Sequence, residues 1–86
     1  MLPSLVGRNV IVRTVTYHYT GRLVAIEEGF LHLADAAWIA DSGRWARALA
    51  DGTLSEVEPY PDDVYVAVGS VVDITAWSHE LPRDTK

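Results

Sequence analysis

The sequence predicts a mainly β protein: a small, strongly bent antiparallel sheet or barrel of five strands, with one inserted helix. Three observations carry this. β-Branched residues crowd Asn9 to Thr16, where Val10, Ile11, Val12, Thr14, Val15 and Thr16 favour extended backbone. Val64 to Val68 and Val71 to Trp77 are two more apolar runs, parted only by Gly69-Ser70. Glu28-Gly29 is a two-residue hairpin signal between further strand-like stretches.

Leu2 to Arg8 suits a short helical lead-in, because Pro3 fits a first turn and Gly7 can end one. The first strand is expected over Asn9 to Thr16. Tyr17-His18-Tyr19-Thr20 carries no strong turn dipeptide, so this hairpin is expected to be bulged or tight. Gly21 marks a bend inside the next strand, which Leu23 and Ala25 carry on to Glu27. Phe30 to Ile39 reads as the third strand. Asp41 or Ser42 can cap a helix in which Trp45, Ala48 and Leu49 share one face, and Gly52 is placed to end it. Thr53 to Asp63, broken by Pro59 and Pro61, reads as a connector. The last two strands follow at Val64–Val68 and Val71–Trp77, and the polar tail from Ser78 to Lys86 is expected to fray.

The 86 residues suit a single domain, 1–86, with a modest core. Cysteine is absent, so the chain has neither a disulfide framework nor a thiolate metal site. No apolar run approaches the length of a membrane-spanning helix. Met1 to Arg8 lacks the pattern of a signal peptide, so a cytoplasmic location and no membrane partner are expected. Seven basic residues stand against twelve acidic ones, a net charge of −5. That balance disfavours RNA, because nucleic-acid affinity comes largely from cations that displace phosphate counterions.

Two stretches together resemble a known family. Val10, Val12, Gly21, Leu23, Leu31, Leu33, Asp35 and Ala36 fall on the first motif of the Sm-like (LSm, Hfq-type) proteins, whose strand order and small bent sheet belong to the SH3-like class. Gly69 and Val72, within Val64 to Ile74, match the second motif. On this resemblance, residues from about 38 to 61 are a helical insertion between the third and fourth strands. The resemblance implies a homo-oligomeric ring in which Val64–Val68 of one copy pairs with Val71–Trp77 of the next. Val64, Val66, Val68, Val71, Ile74 and Trp77 would then form the subunit interface. The two segments carry few of the charges that blunt exposed sheet edges, which favours the same pairing on physical grounds.

The resemblance does not bring a ligand with it. The family's uridine pocket uses an asparagine in the third loop and an arginine from the second motif. Phe30 and Val68 stand at those places, and neither side chain can hydrogen-bond a base or a phosphate. Phe30 is expected in the core, with stacking on a base as the alternative. Glu27 and Glu28 in the same loop repel phosphate.

The remaining constellations are sparse. His18, His32 and His79 are scattered, and His32 with Asp35 would diverge across a strand, so no metal site is expected. Asp62-Asp63 reads as a solvated turn. No GxSxG, HExxH, P-loop or GxGxxG motif occurs, so the chain is predicted to be non-enzymatic and to need no cofactor. Trp45 is expected to anchor the helix, and Trp38 and Trp77 to pack inside the chain or between copies. Arg44 and Arg47, three apart on the helix, are with Arg22 the best candidates for a basic patch. The expected function is therefore an interaction or scaffold ring. The alternative is an RNA-binding ring with a non-standard pocket built from Arg22, Arg44, Arg47, Phe30 and Tyr17.

Overall fold

The structure, a computed structural model, describes residues 2–86. After a 3₁₀ turn at Leu2–Leu5 come β1 (Asn9–Thr14), β2 (His18–Glu27), β3 (Phe30–Asp41), α1 (Trp45–Asp51), β4 (Glu56–Pro59), β5 (Val64–Ala67), a second 3₁₀ turn at Val68–Ser70 and β6 (Val71–Ala76). All strands join one antiparallel sheet in the order β4-β3-β2-β1-β6, with β5 also paired to β3. The outer side of β3 is divided: Phe30 to Leu33 pairs with β5, and Ala37 to Asp41 with β4. No ladder joins β5 to β6 among the described residues, so the sheet is open rather than a closed barrel.

Six strands replace the five expected. The extra one is β4, inside the stretch expected to be a connector. Glu56-Val57-Glu58 alternates charged and apolar residues, and Val57 is fully buried while its neighbours face out. Pro59 sits at the end of this strand, where a missing N–H is tolerated. The first strand stops at Thr14 instead of Thr16 because the Thr14 side chain builds a turn. Its hydroxyl donates to the Tyr17 carbonyl at 2.7 Å, and its backbone N–H reaches the same oxygen at 3.0 Å.

The core has two parts. Val10, Val12, Leu23, Leu31, Leu33, Ala36 and Val66 form one cluster; Ile11, Ala37, Ile39, Ala48, Leu54, Val57 and Trp77 form the other. β1 serves both by ordinary alternation, since successive side chains of a strand point to opposite faces. β3 also serves both, but it changes phase part-way. Between Arg22↔Ala34 and Thr20↔Ala37, Gly21 on β2 faces two residues of β3, Asp35 and Ala36. Asp35 has φ of 50°, the mark of a bulge. Leu31 and Leu33 point into the first cluster before it; Ala36, of opposite parity, does so after it. Ala37 and Ile39 are thereby released to the second cluster. Gly21 permits this approach: a Cβ there would lie 3.0 Å from Leu33 Cβ and 3.2 Å from the Ala34 carbonyl oxygen.

Neither Asp41 nor Ser42 caps α1. Arg44 holds the N-cap position in extended conformation with no side-chain cap, and Asp41 Oδ1 accepts from the Gly43 N–H at 2.8 Å instead. Gly52 ends the helix in the left-handed region, φ 75°, with its N–H bonded to the Ala48 carbonyl at 2.9 Å. Ala48 is buried and Trp45 packs on the second cluster, whereas Leu49 stays exposed. Trp45 lies edge-on to His18 and beneath the Arg13 guanidinium, 5.0 Å from its ring centroid.

The tail does not fray; it is docked. Leu81 packs on the second cluster. Arg83 donates to the carbonyls of Ala36 at 2.6 Å and Tyr60 at 2.9 Å. His79 Nε2 lies 2.8 Å from the Leu49 carbonyl oxygen, and Lys86 Nζ donates to the Leu54 carbonyl at 3.2 Å. These partners come from β3, α1 and the segments around β4, so the tail holds the insertion against the sheet.

Candidate functional site

The turn at Glu28-Gly29 borders a cleft. Both residues have positive φ, 52° and 82°, as a two-residue type I′ hairpin requires. The turn fixes Glu27 opposite Phe30, and the register of β3 with β5 places His32 opposite Tyr65. Directly opposed residues share a face, and alternate residues of one strand do too. Glu27, Phe30, His32 and Tyr65 therefore stand together on the outer face, while Leu31, Leu33 and Val66 point inward to the core. With Glu28 they line a cleft of about 520 Å³.

The His32 ring stacks on Tyr65, centroids 4.5 Å apart and planes 25° from parallel. Its Nε2 lies 2.7 Å from Asp63 Oδ2, which fixes the ring's orientation. Asp63 is thus a partner for His32, not merely part of a solvated turn. Phe30 and Tyr65 remain 44% and 60% exposed. Phe30 consequently corrects its expected place in the core: the parity that buries Leu31 and Leu33 turns Phe30 and His32 outward. Glu27 and Glu28 enter no ion pair among the described residues, and no Lys or Arg lines the cleft.

Of the expected basic patch, Arg44 and Arg47 come together at one cleft and Arg22 does not join them there. Arg22 Nη1 is 2.9 Å from Asp35 Oδ2, beside the bulge. Arg47 Nε is 2.8 Å from Asp51 Oδ2, one helical turn on. Arg44 and Arg47 line a smaller cleft of about 220 Å³ with Ser42, Gly43, Thr53 and Ser55, and Arg22 is not part of it. Tyr17 packs edge-on against Trp38, centroids 4.6 Å apart, and lines neither cleft.

Of the expected interface residues, Val66 and Trp77 are buried within the chain itself, and Trp77 Nε1 donates to the Glu80 carbonyl at 3.1 Å. Val64, Val68, Val71 and Ile74 pack partly against the first cluster. Their side chains serve the fold, which leaves the backbone edges of β5 and β6, and the exposed Tyr65 and Val72, as the surface those strands present. Val68 lies in the 3₁₀ turn and Trp77 follows β6, so neither is a strand residue.

Electrostatic perturbation is concentrated elsewhere, on β1 and β6. The Arg13 guanidinium hydrogen-bonds the Asp73 carboxylate across the sheet, Nε to Oδ1 at 2.9 Å, and this lowers the Asp73 pKa and raises that of Arg13. Burial, reinforced by Tyr19, pushes the Tyr60 hydroxyl above its usual range. The candidate cleft is lined by rings and carboxylates: Glu27, Glu28, Phe30, His32 and Tyr65. His32 and Asp35 have different partners, Asp63 and Arg22, and no three His, Asp or Glu side chains converge among the described residues. No helix among those residues is long and apolar enough to cross a membrane.

The cleft's sequence signal was partial. The i, i+2 spacing of Phe30 and His32 and the two-residue turn put Glu27, Phe30 and His32 on one side. Tyr65 and Asp63 had no such signal, because the pairing that brings them in spans 31 residues between His32 and Asp63. Compared with protein-family models and with curated proteins, the chain matches none.

Proposed function

We propose that this chain is a non-enzymatic, self-assembling binding module, an Sm-like ring in which β5 of one copy pairs with β6 of the next. The observation that supports it is the contrast between the sheet's edges. β4 is guarded: it carries Glu56, Glu58 and Pro59, and Val57 exchanges backbone hydrogen bonds with Lys86. β5 and β6 have no proline and, among the described residues, no second ladder, and the one charged residue in them, Asp73, is engaged by Arg13. Unguarded edges of opposite ends of a sheet complement one another, and a repeated head-to-tail contact closes into a ring when its rotation permits.

The ring's ligand is a protein or another non-nucleic partner. Glu27 and Glu28 stand uncompensated at the cleft, while Arg22 and Arg47 are already paired, so little free positive charge faces a phosphate backbone. Native mass spectrometry of protein purified without nuclease is the test. A closed oligomer of bare subunits is expected, and Val72→Lys, which places a charge on the exposed face of β6, shifts it toward monomer. A monomer at micromolar concentration overturns the ring. Additional mass removed by RNase would replace a protein ligand with RNA.

A further inference from the structure

We infer that the cleft between the Glu28-Gly29 hairpin and β5 binds a trimethylammonium group. Two large rings, Phe30 and Tyr65, are exposed here although the larger aliphatic residues beside them, Leu31, Leu33, Val64 and Val66, are wholly or partly buried. The face of an aromatic ring is negative, so it attracts a cation placed above it. Among the described residues, Glu27 and Glu28 add two carboxylates without an ion-pair partner at the same cleft, and no Lys or Arg lines it.

The alternatives fit less well. An anion meets the two carboxylates. A neutral apolar ligand desolvates them with no return. A metal ion finds no group of three His, Asp or Glu side chains placed to hold it among the described residues, and the imidazole that lines the cleft, His32, has its Nε2 engaged by Asp63. A primary ammonium ion can hydrogen-bond Glu27 and Glu28, but it holds its water tightly and must give up part of that shell to lie against the two ring faces. Methyl groups on nitrogen spread the charge, weaken its hydration and make van der Waals contact with ring faces. His32, stacked on Tyr65 and held by Asp63, fixes the tyrosine side of the cleft before any ligand arrives. The cleft lies within one copy, so the site is complete whether or not copies assemble.

The group has two natural sources, a free quaternary amine and a trimethylated lysine on a protein, and the experiment separates them. ¹⁵N-labelled protein is titrated with choline, with its neutral isostere 3,3-dimethylbutan-1-ol, and with one short peptide carrying lysine or trimethyllysine. Choline and the trimethyllysine peptide should move the amide signals of Glu27 to His32 and Tyr65 with millimolar or tighter Kd. The neutral isostere should bind at least about fivefold more weakly, as should Tyr65→Ala with the cations. A double variant, E27Q with E28Q, should weaken the cations and leave the neutral isostere unchanged; it alters no buried group. A peptide roughly tenfold tighter than choline identifies a protein side chain as the source, and equal affinities identify the free amine. No cation-dependent shift, equal shifts with the neutral isostere, or equal binding of the unmethylated peptide overturns the assignment.

Discussion

Val57 and Lys86 exchange two backbone hydrogen bonds: the Val57 N–H donates to Lys86 at 3.1 Å, and the Lys86 N–H to Val57 at 2.9 Å. Residues from the insertion and from the tail therefore form a closed pair at the outer edge of β4. The pair satisfies polar groups that would otherwise present a template for another chain. It also accounts for the order of a segment whose composition alone suggests fraying.

Arg83 is the main side-chain tether of that tail, with one guanidinium bridging the Ala36 and Tyr60 carbonyls. Arg83→Ala should cost about 1.5–3 kcal/mol, the range for hydrogen bonds to a charged group. Urea unfolding checks it. Deleting residues 81–86 should cost more than R83A, since it also removes Leu81 from the second cluster. Equal stability of wild type and deletion would mean that the tail contributes nothing to the fold.

Gly21→Ala should destabilise by about 1–3 kcal/mol through overpacking. Its new methyl would meet Leu33 Cβ at 3.0 Å, Ala34 O at 3.2 Å and Ala36 Cα at 3.4 Å, two of them backbone atoms of the bulge. Gly29→Ala makes a useful contrast, because a Cβ there meets nothing within 4 Å but the backbone has φ of 82°. Thermal melts of both, with amide exchange across Asp35 and Ala36, separate crowding from backbone strain: only G21A should speed exchange at the bulge.

The Arg13–Asp73 pair gives a pH dependence with a defined sign. Asp73 is held below its ordinary value of 3.8 in the folded state, mainly by the hydrogen bonds from Arg13. Its contribution is therefore fully present above 3.8 and is lost as pH falls through the lower, folded value. Asp73→Asn should be less stable than wild type near neutrality, by a small margin because the pair is exposed to solvent. Denaturant midpoints at pH 7 and in acid should show the two proteins converging as the carboxylate protonates. A gap that persists unchanged into strong acid would exclude the ion pair as its source.

How far the fold was legible depended on the range of the forces concerned. The Glu28-Gly29 turn and the Gly52 helix stop were legible because each depends on the backbone freedom of one or two residues. Gly21 was legible as a bend, since only a residue without Cβ suits so close a strand contact. β4 was hidden because Pro59 and Pro61 outweighed a short alternation around Val57, and an edge position was needed to reconcile them. Phe30 was misplaced because aromaticity suggests burial, while parity along β3 decides it.

The mainly β class, the α-helix and its end, the hairpin at Glu28-Gly29 and the excess of negative charge could all be read from the residues alone. All of these follow from local propensity, turn geometry or composition. Long-range packing set the phase change of β3 at Asp35, the closing of the tail over β4, the meeting of Tyr65 with Phe30 and His32 at one cleft, and the hold of Asp63 on His32. Those outcomes rest on pairings between distant segments, whose register is set by which faces can be buried together.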